Sequence, residues 1–299
     1  MKTDIFYWLL NMSLQGGLVC LIVLLLRRLP KLPRRFSYAL WLLPLLRLTI
    51  PFGVESEISL LGGLGAKHVY LPILPEYEQF LPALNCIGAA DSYFPIIYKS
   101  VRLNRLFSLA TPIWIVGAAL CVAAALILYY CSRKEMFGAQ PYKDWYVSEG
   151  VTGPVLWGIL RPKIVVPPGI PDEDMADILR HERIHIRRLD NLWRFIAVLV
   201  CCIHWFNPVC WICLKYFFAD MELSCDEAAI RNLDEPQRKH YAATLLNTAS
   251  RQSLFSSAFG GAKLGDRIQN ILSYKRLTFA ASIALVILFA AIAVILNTN

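Results

Sequence analysis

Long apolar stretches are the feature of this sequence that most restricts its fold. Four of them approach or exceed the roughly 18 to 20 residues that an α-helix needs to cross a hydrocarbon core of about 30 Å. They cover about residues 5–26, 36–52, 112–130 and 278–296. With 57% hydrophobic and only 17% charged residues, the chain has the composition of an integral membrane protein. The second stretch is the weakest candidate because it contains Arg47 and two prolines.

Positive charges beside these stretches predict the orientation of the chain. The segment between the first two stretches reads RRLPKLPRR, which the positive-inside rule places in the cytoplasm. The amino terminus is then outside, residues 53–111 are extracytoplasmic, residues 131–277 are cytoplasmic, and the carboxyl terminus is outside again. Basic residues after the third stretch and before the fourth agree with this orientation. The net charge of +8 therefore reflects topology rather than nucleic-acid binding.

The cytoplasmic part contains strand-like and helical patterns. Short runs of Val, Ile and Trp broken by Gly and Pro, between residues 145 and 170, predict a small β-sheet. Acidic residues after Pro171 predict a helix start. Residues 195–214 lack Asp, Glu, Lys and Arg and are long enough for a fifth span, but a proline breaks the run near its middle. We therefore predict a re-entrant or interfacial helical hairpin, which keeps its two flanks on one membrane face.

The helix that begins after Pro171 contains a motif with catalytic potential. Its sequence HERIH places His181 and His185 one turn apart on one face, with Glu182 beside them. Two imidazole nitrogens and an adjacent carboxylate are what a zinc hydrolase needs, because Glu182 can take a proton from water at the metal. The competing interpretation is a basic helix at the membrane surface, and the motif alone leaves the two about equal.

A second helix downstream supplies further acidic side chains. Glu222 and Asp226, in MELSCDEAAI, are four residues apart and share a helical face. We expect Glu222 to be the third zinc ligand, with a fourth position left for water. Asp226 is a candidate to accept the free ring N–H of a histidine ligand, and Asp190 is a weaker one. Alone, the acidic pair would indicate a solvated face, but its position one hairpin after the HExxH helix favours a metal site.

Three further features bear on substrate binding and regulation. The run GILRPKIVVP could offer an exposed edge strand to a substrate peptide, although an ordinary internal strand is equally open. His240 and Tyr241 could donate to an oxyanion, but nothing nearby distinguishes them from residues of a surface helix. Small residues and glycines at 251–262 make this segment the easiest place for self-cleavage.

Four segments, in this order, read GILRPKIVVP, RHERIHIRRLDNLWR, HWFNPVCW and MELSCDEAAI. Together they resemble the BlaR/MecR family of membrane-embedded zinc metallopeptidases, best from about residue 140 to 275. The resemblance implies a gluzincin-like protease that acts at the cytoplasmic membrane face as the output of a signal received outside. It implies zinc bound by His181, His185 and Glu222, with Glu182 catalytic. Antibiotic-sensing members add a penicillin-binding domain with an S-x-x-K motif; this sequence lacks that motif, so we expect no acylation by β-lactams.

The sequence thus predicts an integral membrane α+β protein of a bacterial-type plasma membrane. Four transmembrane helices frame a gluzincin-like zinc protease domain, and the predicted divisions are 1–52, 53–111, 112–130, 131–277 and 278–299. We expect one Zn²⁺ per chain and, as partners, the bilayer and a protein substrate such as a transcriptional repressor or the chain itself. Direct nucleic-acid binding is not expected, and a homodimer is left open. The alternative is a catalytically inactive membrane signalling or scaffold protein.

Overall fold

The computed structural model describes residues 2–29, 32–50, 101–134, 138–248, 261–276 and 278–297. Within these ranges the helices are α1 (Lys2–Leu26), α2 (Arg34–Leu40), α3 (Leu42–Thr49), α4 (Val101–Lys134), α5 (Asp172–Arg188), α6 (Asp190–Ile203), α7 (Pro208–Ile230), α8 (Glu235–Thr248), α9 (Leu264–Leu272) and α10 (Phe279–Asn297). The strands are β1 (Gln140–Tyr142), β2 (Trp145–Val147), β3 (Val155–Trp157) and β4 (Lys163–Val166). The described chain is mostly helical with a small sheet, as the sequence predicts.

Three helices of the described chain are long and apolar enough to cross a membrane, over Ile5–Leu26, Leu106–Ser132 and Phe279–Leu296. They agree with three of the four predicted spans. Their surroundings differ, because 56% of the span in α1 is buried inside the protein, against 6% of the spans in α4 and α10. α1 packs against α3, α4 and α7. The apolar surfaces of α4 and α10 face outward, as expected of helices that contact lipid.

The second predicted span, residues 36–52, is not a single helix. α2 and α3 meet at Trp41, and each has fewer than ten residues. Pro44 accounts for the break because it has no N–H to donate to the carbonyl four residues earlier. Arg47 is buried and donates to the side-chain oxygen of Gln15 in α1 at 2.5 Å. A crossing formed by α2 and α3 together therefore stays a proposal.

The four strands form one mixed sheet in the order β1-β2-β4-β3. β2 and β4 are parallel, and the other two pairs are antiparallel. β4 is therefore internal, so of the two alternatives left open for GILRPKIVVP the ordinary internal strand is the one observed for Lys163–Val166. Its buried Ile164, Val165 and Val166 read as an apolar run because both faces of an internal strand are covered. Pro162 precedes the strand, where its missing N–H costs no ladder hydrogen bond.

The apolar run at residues 195–214 forms a helical hairpin rather than one crossing helix. α6 ends at Ile203, and Asn207 caps α7 by accepting the N–H of Val209 at 3.0 Å. The Asn207 amide also donates to Ser13 of α1, at 2.9 Å to the carbonyl oxygen and 3.0 Å to the hydroxyl. The helical hairpin is confirmed, whereas its re-entrant or interfacial placement stays a prediction, and both of its arms pack in an apolar core shared with α1.

Two predicted segments fall largely outside the described residues. Residues 51–100, most of the predicted extracytoplasmic loop, are not described, and residues 101–111 belong to α4. Residues 249–260, most of the segment predicted as a self-cleavage site, are also outside the described ranges. α9 follows them and packs against α7 and α8. Its Ile271 is fully buried, so this helix attaches the chain before α10 to α7 and α8.

Candidate metal centre

Two packed helices bring together the side chains that the sequence singles out. α5 starts after Pro171 with three acidic residues in its first turn, which suits the positive end of a helix dipole. Its buried face places His181 and His185 one turn apart. α7 packs against α5 and contributes Glu222. Both helices occur in the order that the sequence predicts, and they bring the three side chains to one place.

The donor atoms of these three residues converge on one point. The Nε2 atoms of His181 and His185 are 3.1 Å apart. The Glu222 carboxylate places Oε2 3.5 Å from the Nε2 of His181 and Oε1 3.6 Å from the Nε2 of His185. Ligands of tetrahedral zinc lie about 2.0–2.1 Å from the ion, which puts any two of them about 3.3–3.4 Å apart. The three side chains therefore fit an ion of that size.

The ring of His185 is oriented from its other nitrogen. Its Nδ1 lies 2.6 Å from Oδ2 of the fully buried Asp190. Because a carboxylate only accepts, Nδ1 carries a proton, which leaves Nε2 as the nitrogen that can bind a metal. Leu189 makes the contact possible, since its left-handed backbone, with φ at 56°, separates α5 from α6 and returns Asp190 to His185. Asp190 thus makes the contact that the sequence assigns it as the weaker of two candidates.

His181 is oriented by a different set of side chains. Its Nδ1 lies 2.8 Å from the Tyr241 hydroxyl oxygen and 3.2 Å from Oδ1 of Asp226. The Tyr241 hydroxyl donates to the same Oδ1 at 2.9 Å. Arg267 of α9 donates to both Asp226 oxygens at 2.7 Å. Burial alone would raise the pKa of the Asp226 carboxyl, but Arg267 and His181 lower it to about 2, so it is an anion at neutral pH.

Two arginines stand next to the Glu222 carboxylate. Arg194 of α6 donates to Oε1, and Nη1 of Arg267 lies 3.7 Å from Oε2. Nη2 of Arg267 is also 3.4 Å from the Nε2 of His181. Burial alone would raise the pKa of Glu222, but His185, His181 and Arg194 hold it well below its usual range. The ionised carboxylate suits a metal ligand, and the two guanidinium groups limit how it can rotate.

A buried thiol adjoins the cluster. Cys225, three residues after Glu222, is fully buried, and its Sγ lies within 4.8 Å of donor atoms of His181 and His185. Its Sγ also lies 3.5 Å from the carbonyl oxygen of His181, to which it donates. Burial alone would raise the pKa of this thiol, but the two imidazoles lower it. Thiolate is a preferred ligand of zinc, so Cys225 is a second candidate for the third ligand, one that the HExxH spacing does not reveal.

Glu182 lies in the wall of a cavity beside these residues. The cavity has a volume of about 540 Å³. Glu182 is 9% exposed, and no other described residue forms an ion pair with it. A buried, unpaired carboxylate next to a metal site is suited to accept a proton. Polar side chains that line the cavity at the candidate site include Asp177, His181, Glu182, His185, Arg194, Glu222, Tyr241 and Arg267.

Much of the remaining lining is apolar and includes residues of α4, a helix long and apolar enough to cross a membrane. α4 lines the cavity with Val122, Ala125 and Leu126, which lie within the apolar span of that helix. α6 and β3 also contribute apolar side chains. Asn191 of α6 donates to the carbonyls of Leu156 and Gly158 at 3.0 and 2.8 Å, which attaches the edge strand β3 beside the site. The cavity therefore has both polar lining from the candidate site and apolar lining from α4, α6 and β3.

Tyr241 and His240, whose roles the sequence leaves open, have different hydrogen-bond partners. The hydroxyl of Tyr241 is engaged between Asp226 and the candidate ligand His181, so it is not a free donor in the cavity wall. His240 is half-exposed and hydrogen-bonds Asp177 at 3.1 Å. Neither these partners nor Arg267 can be inferred from local spacing, because they lie on other helices far along the chain.

A buried HExxH helix, a second helix with an acidic side chain at bonding distance, and apolar helices of membrane-spanning length define a membrane protein of the metallopeptidase type. The chain belongs to the family described as BlaR1 peptidase M56, whose sequence model matches residues 7–278. The match covers α1 through α9, and so includes both the membrane helices of the amino-terminal part and the whole candidate site. The predicted membership of the BlaR/MecR family is confirmed, and with it a membrane protein of the metallopeptidase type.

Curated relatives agree with this family. The chain is 29% identical over 124 residues to the regulatory protein BlaR1 of Bacillus licheniformis, which is 40% of this chain and 21% of the relative. It is 25% identical over 130 residues to the methicillin resistance mecR1 protein of Staphylococcus aureus, covering 42% of this chain and 22% of the relative. The same values hold for the mecR1 protein of Staphylococcus epidermidis. The matched region thus spans about a fifth of these relatives' length.

Proposed function

We propose that this protein is a zinc-dependent endopeptidase that cleaves proteins at the cytoplasmic face of the membrane. The observation that supports this most directly is the convergence of His181, His185 and Glu222, with Glu182 beside them in the wall of a cavity. The family supports a peptidase that depends on a metal. Zinc fits the nitrogen, carboxylate and thiol donors better than the oxygen-seeking Mg²⁺ or Ca²⁺ would.

In this proposal the residues of the site have three roles: metal binding, orientation of the imidazoles and proton transfer. His181, His185 and Glu222 hold the ion, while Asp226 and Asp190 keep the two imidazoles turned towards it. Zinc bound there would polarise the scissile carbonyl and lower the pKa of a water molecule. Glu182 takes the proton of the attacking water and returns it to the leaving amide nitrogen, which is general base and then general acid catalysis.

The cavity favours a protein segment with apolar side chains as substrate. Its apolar wall includes α4, and the edge strand β3 lies along it. A peptide in extended form can add to such an edge through main-chain hydrogen bonds. Relatives named as regulatory or methicillin resistance proteins suggest that cleavage is the output of a transmembrane signal. A transcriptional repressor, or the chain itself within 251–262, is the proposed substrate. A homodimer stays open.

Contacts between distant segments support the proposed orientation. Arg27, at the end of α1, donates to both oxygens of Asp220 in α7 at 2.9 and 2.8 Å. The backbone N–H groups of Arg34 and Arg35 lie 3.1 and 3.3 Å from the Glu227 carboxylate. The basic segment after α1 is therefore on the same side as the candidate site. With this segment in the cytoplasm, the amino and carboxyl termini are outside and residues 131–277 form the cytoplasmic protease domain.

Zinc content tests this proposal. The detergent-purified protein should hold about one zinc per chain, and His185→Ala and Glu222→Ala should lose most of it because each removes a ligand. Glu182→Gln is the matched control, expected to retain zinc but to lose cleavage. Cys225→Ser distinguishes the two candidates for the third ligand. If Cys225→Ser retains zinc and Glu222→Ala loses it, the third ligand is the Glu222 carboxylate.

A well-folded wild type that binds no added zinc would contradict the proposal and favour the inactive signalling or scaffold protein instead. Self-cleavage has its own test. Fragments formed on storage should be absent from Glu182→Ala, and the same fragments from this variant would rule out cleavage by this site.

A further inference from the structure

We propose that Tyr38, in α2, is a positioning residue of the metal centre. It holds the carboxylate of Asp190, which in turn fixes the ring of His185 so that Nε2 faces His181 and Glu222. This inference rests on the proposed metal site and goes beyond it. It assigns a role at the site to a residue that lies before the protease region, in the short helix that follows the first membrane span.

Two consecutive hydrogen bonds join Tyr38 to the ligand. The Tyr38 hydroxyl donates to Oδ1 of Asp190 at 3.0 Å. The other oxygen of the same carboxylate, Oδ2, lies 2.6 Å from the Nδ1 of His185. Asp190 is fully buried, so its orientation depends on the donors that the protein provides. Partners behind a metal ligand fix its tautomer and the direction of its ring.

The ring of Tyr38 has two packing partners. It stacks on Phe217 of α7, with centroids 5.6 Å apart and planes inclined by 18°. The guanidinium carbon of Arg188 also lies over the ring, 4.4 Å from its centroid. Aromatic stacking and a cation over the ring each restrict rotation of the side chain. The hydroxyl therefore stays at Asp190 without further ordering when a metal binds.

α2 itself is attached to α7 on both sides of Tyr38. Glu227 accepts the backbone N–H groups of Arg34 and Arg35 at the first turn of α2, where helical N–H groups lack partners. Trp41, just after α2, donates its indole N–H to Asp220 of α7 at 2.8 Å. These contacts hold the helix against the same surface that bears Phe217. The position of Tyr38 is consequently fixed by long-range packing and not by its own short helix.

A second donor shares the Asp190 oxygen but is a poorer one. Arg188 Nε lies 3.4 Å from Oδ1 of Asp190, longer than the 3.0 Å of Tyr38. One of its remaining nitrogens, Nη1, donates to Ser224 at 3.2 Å. Without the Tyr38 hydroxyl the carboxylate would turn towards Arg188. That rotation would move Oδ2 away from His185 and loosen the ring that binds the metal.

The test measures the affinity of the full-length protein for zinc, by competition with a chromophoric chelator in detergent. Tyr38→Phe keeps the ring and its stacking but removes the donor, and we expect its zinc affinity to fall about 3- to 10-fold. Asp190→Asn removes the direct partner and should cost about 10- to 100-fold. Since Tyr38 acts through Asp190, the double variant should bind zinc no more weakly than Asp190→Asn alone.

Tyr216→Phe is the matched control, because Tyr216 is the residue of α7 next to Phe217. Its ring centroid lies 4.4 Å from the guanidinium carbon of Arg27. This variant should bind zinc like the wild type. Zinc bound equally by wild type and Tyr38→Phe would overturn this inference alone. So would fully additive losses in the double variant, or an equal loss in Tyr216→Phe. A wild type that binds no zinc would instead overturn the proposed function, and this inference with it.

Discussion

The two histidines of the site are supported from different parts of the molecule and by different chemistry. His181 depends on the carboxyl-terminal half, through Tyr241 and the buried pair of Asp226 and Arg267. His185 depends on Asp190 in the next helix, whose other oxygen accepts from Tyr38 near the amino terminus. Both rings thereby present Nε2 to the same point. Two unrelated sets of side chains therefore orient the two rings. We call Tyr241, Asp226 and Arg267 the His181 support, and Asp190 and Tyr38 the His185 support.

The difference lies in how much charge each support buries. Asp226 is fully buried and Arg267 is 15% exposed, with two hydrogen bonds between them. A buried ion pair is costly to break, because the remaining partner keeps an uncompensated charge. On the His185 side the closest donor to Asp190 other than the imidazole is a neutral hydroxyl. We therefore expect the His181 support to matter for folding and metal binding, and the His185 support mainly for metal binding.

Asp226→Asn should have the largest effect. It leaves the largely buried Arg267 guanidinium without the anion that accepts two of its hydrogen bonds, which should lower the free energy of unfolding by about 3–5 kcal/mol. The loss should appear as a much lower melting temperature of the detergent-purified protein in the presence of a chelator. Zinc binding should fall as well, because the Nδ1 of His181 loses an anionic acceptor.

A double variant separates the two consequences. Asp226→Asn with Arg267→Met removes the unpaired charge, so it should recover most of the melting temperature. It should not recover zinc affinity, since the anion behind His181 is still missing. Recovery of zinc affinity in the double variant would mean that Asp226 serves only to neutralise Arg267.

Asp190→Asn should change the fold much less than Asp226→Asn does. Without metal we expect the free energy of unfolding to fall by about 1–2 kcal/mol, the usual range for an impaired buried hydrogen bond. The measurement is the melting temperature of the chelator-treated protein, compared with Asp226→Asn under the same conditions. Equal destabilisation by the two variants would break the comparison and show that charge does not distinguish the supports.

Sequence patterns predict the parts of the site that depend on spacing within one helix. HERIH places two imidazoles and a carboxylate together because residues four apart share a helical face. The break at residues 207 and 208 predicts the hairpin for an equally local reason, the lost hydrogen bond of Pro208. Three apolar spans follow from length and composition. Each of these predictions needs only neighbouring residues.

The missed features all depend on contacts between distant segments. Tyr38 and Asp190 are 152 residues apart, and Arg267 and His181 are 86 apart. The order of strands likewise places β4 inside the sheet, although its sequence fits an edge or an internal strand. Arg267 reads as one more basic residue of an amphipathic helix near a membrane. Nothing in its own segment indicates a buried carboxylate partner.

A smaller effect is expected at the turn that brings Asp190 back to His185. Leu189 has φ at 56° and is 47% exposed, and a left-handed residue other than glycine costs about 1–2 kcal/mol. Leu189→Gly should be close to neutral, because relief of this strain offsets the greater freedom of glycine in the unfolded chain. Leu189→Val should melt lower than both, since a branched side chain fits this backbone worst. Equal melting temperatures for Gly and Val would contradict the role of backbone strain here.

The smallest expected effect is a pH dependence of stability at the contact between α5 and α8, where His240 meets Asp177. A hydrogen bond to Asp177 raises the pKa of His240, helped by the charges of Asp174 and Glu173. A raised folded pKa stabilises the protein below the unfolded value of about 6.5 and loses this contribution as pH rises through the folded value. The melting temperature of wild type should therefore exceed that of His240→Gln at about pH 6, and the difference should shrink by about pH 9. A difference that stays constant across this range would show that the His240 charge does not stabilise the contact between α5 and α8.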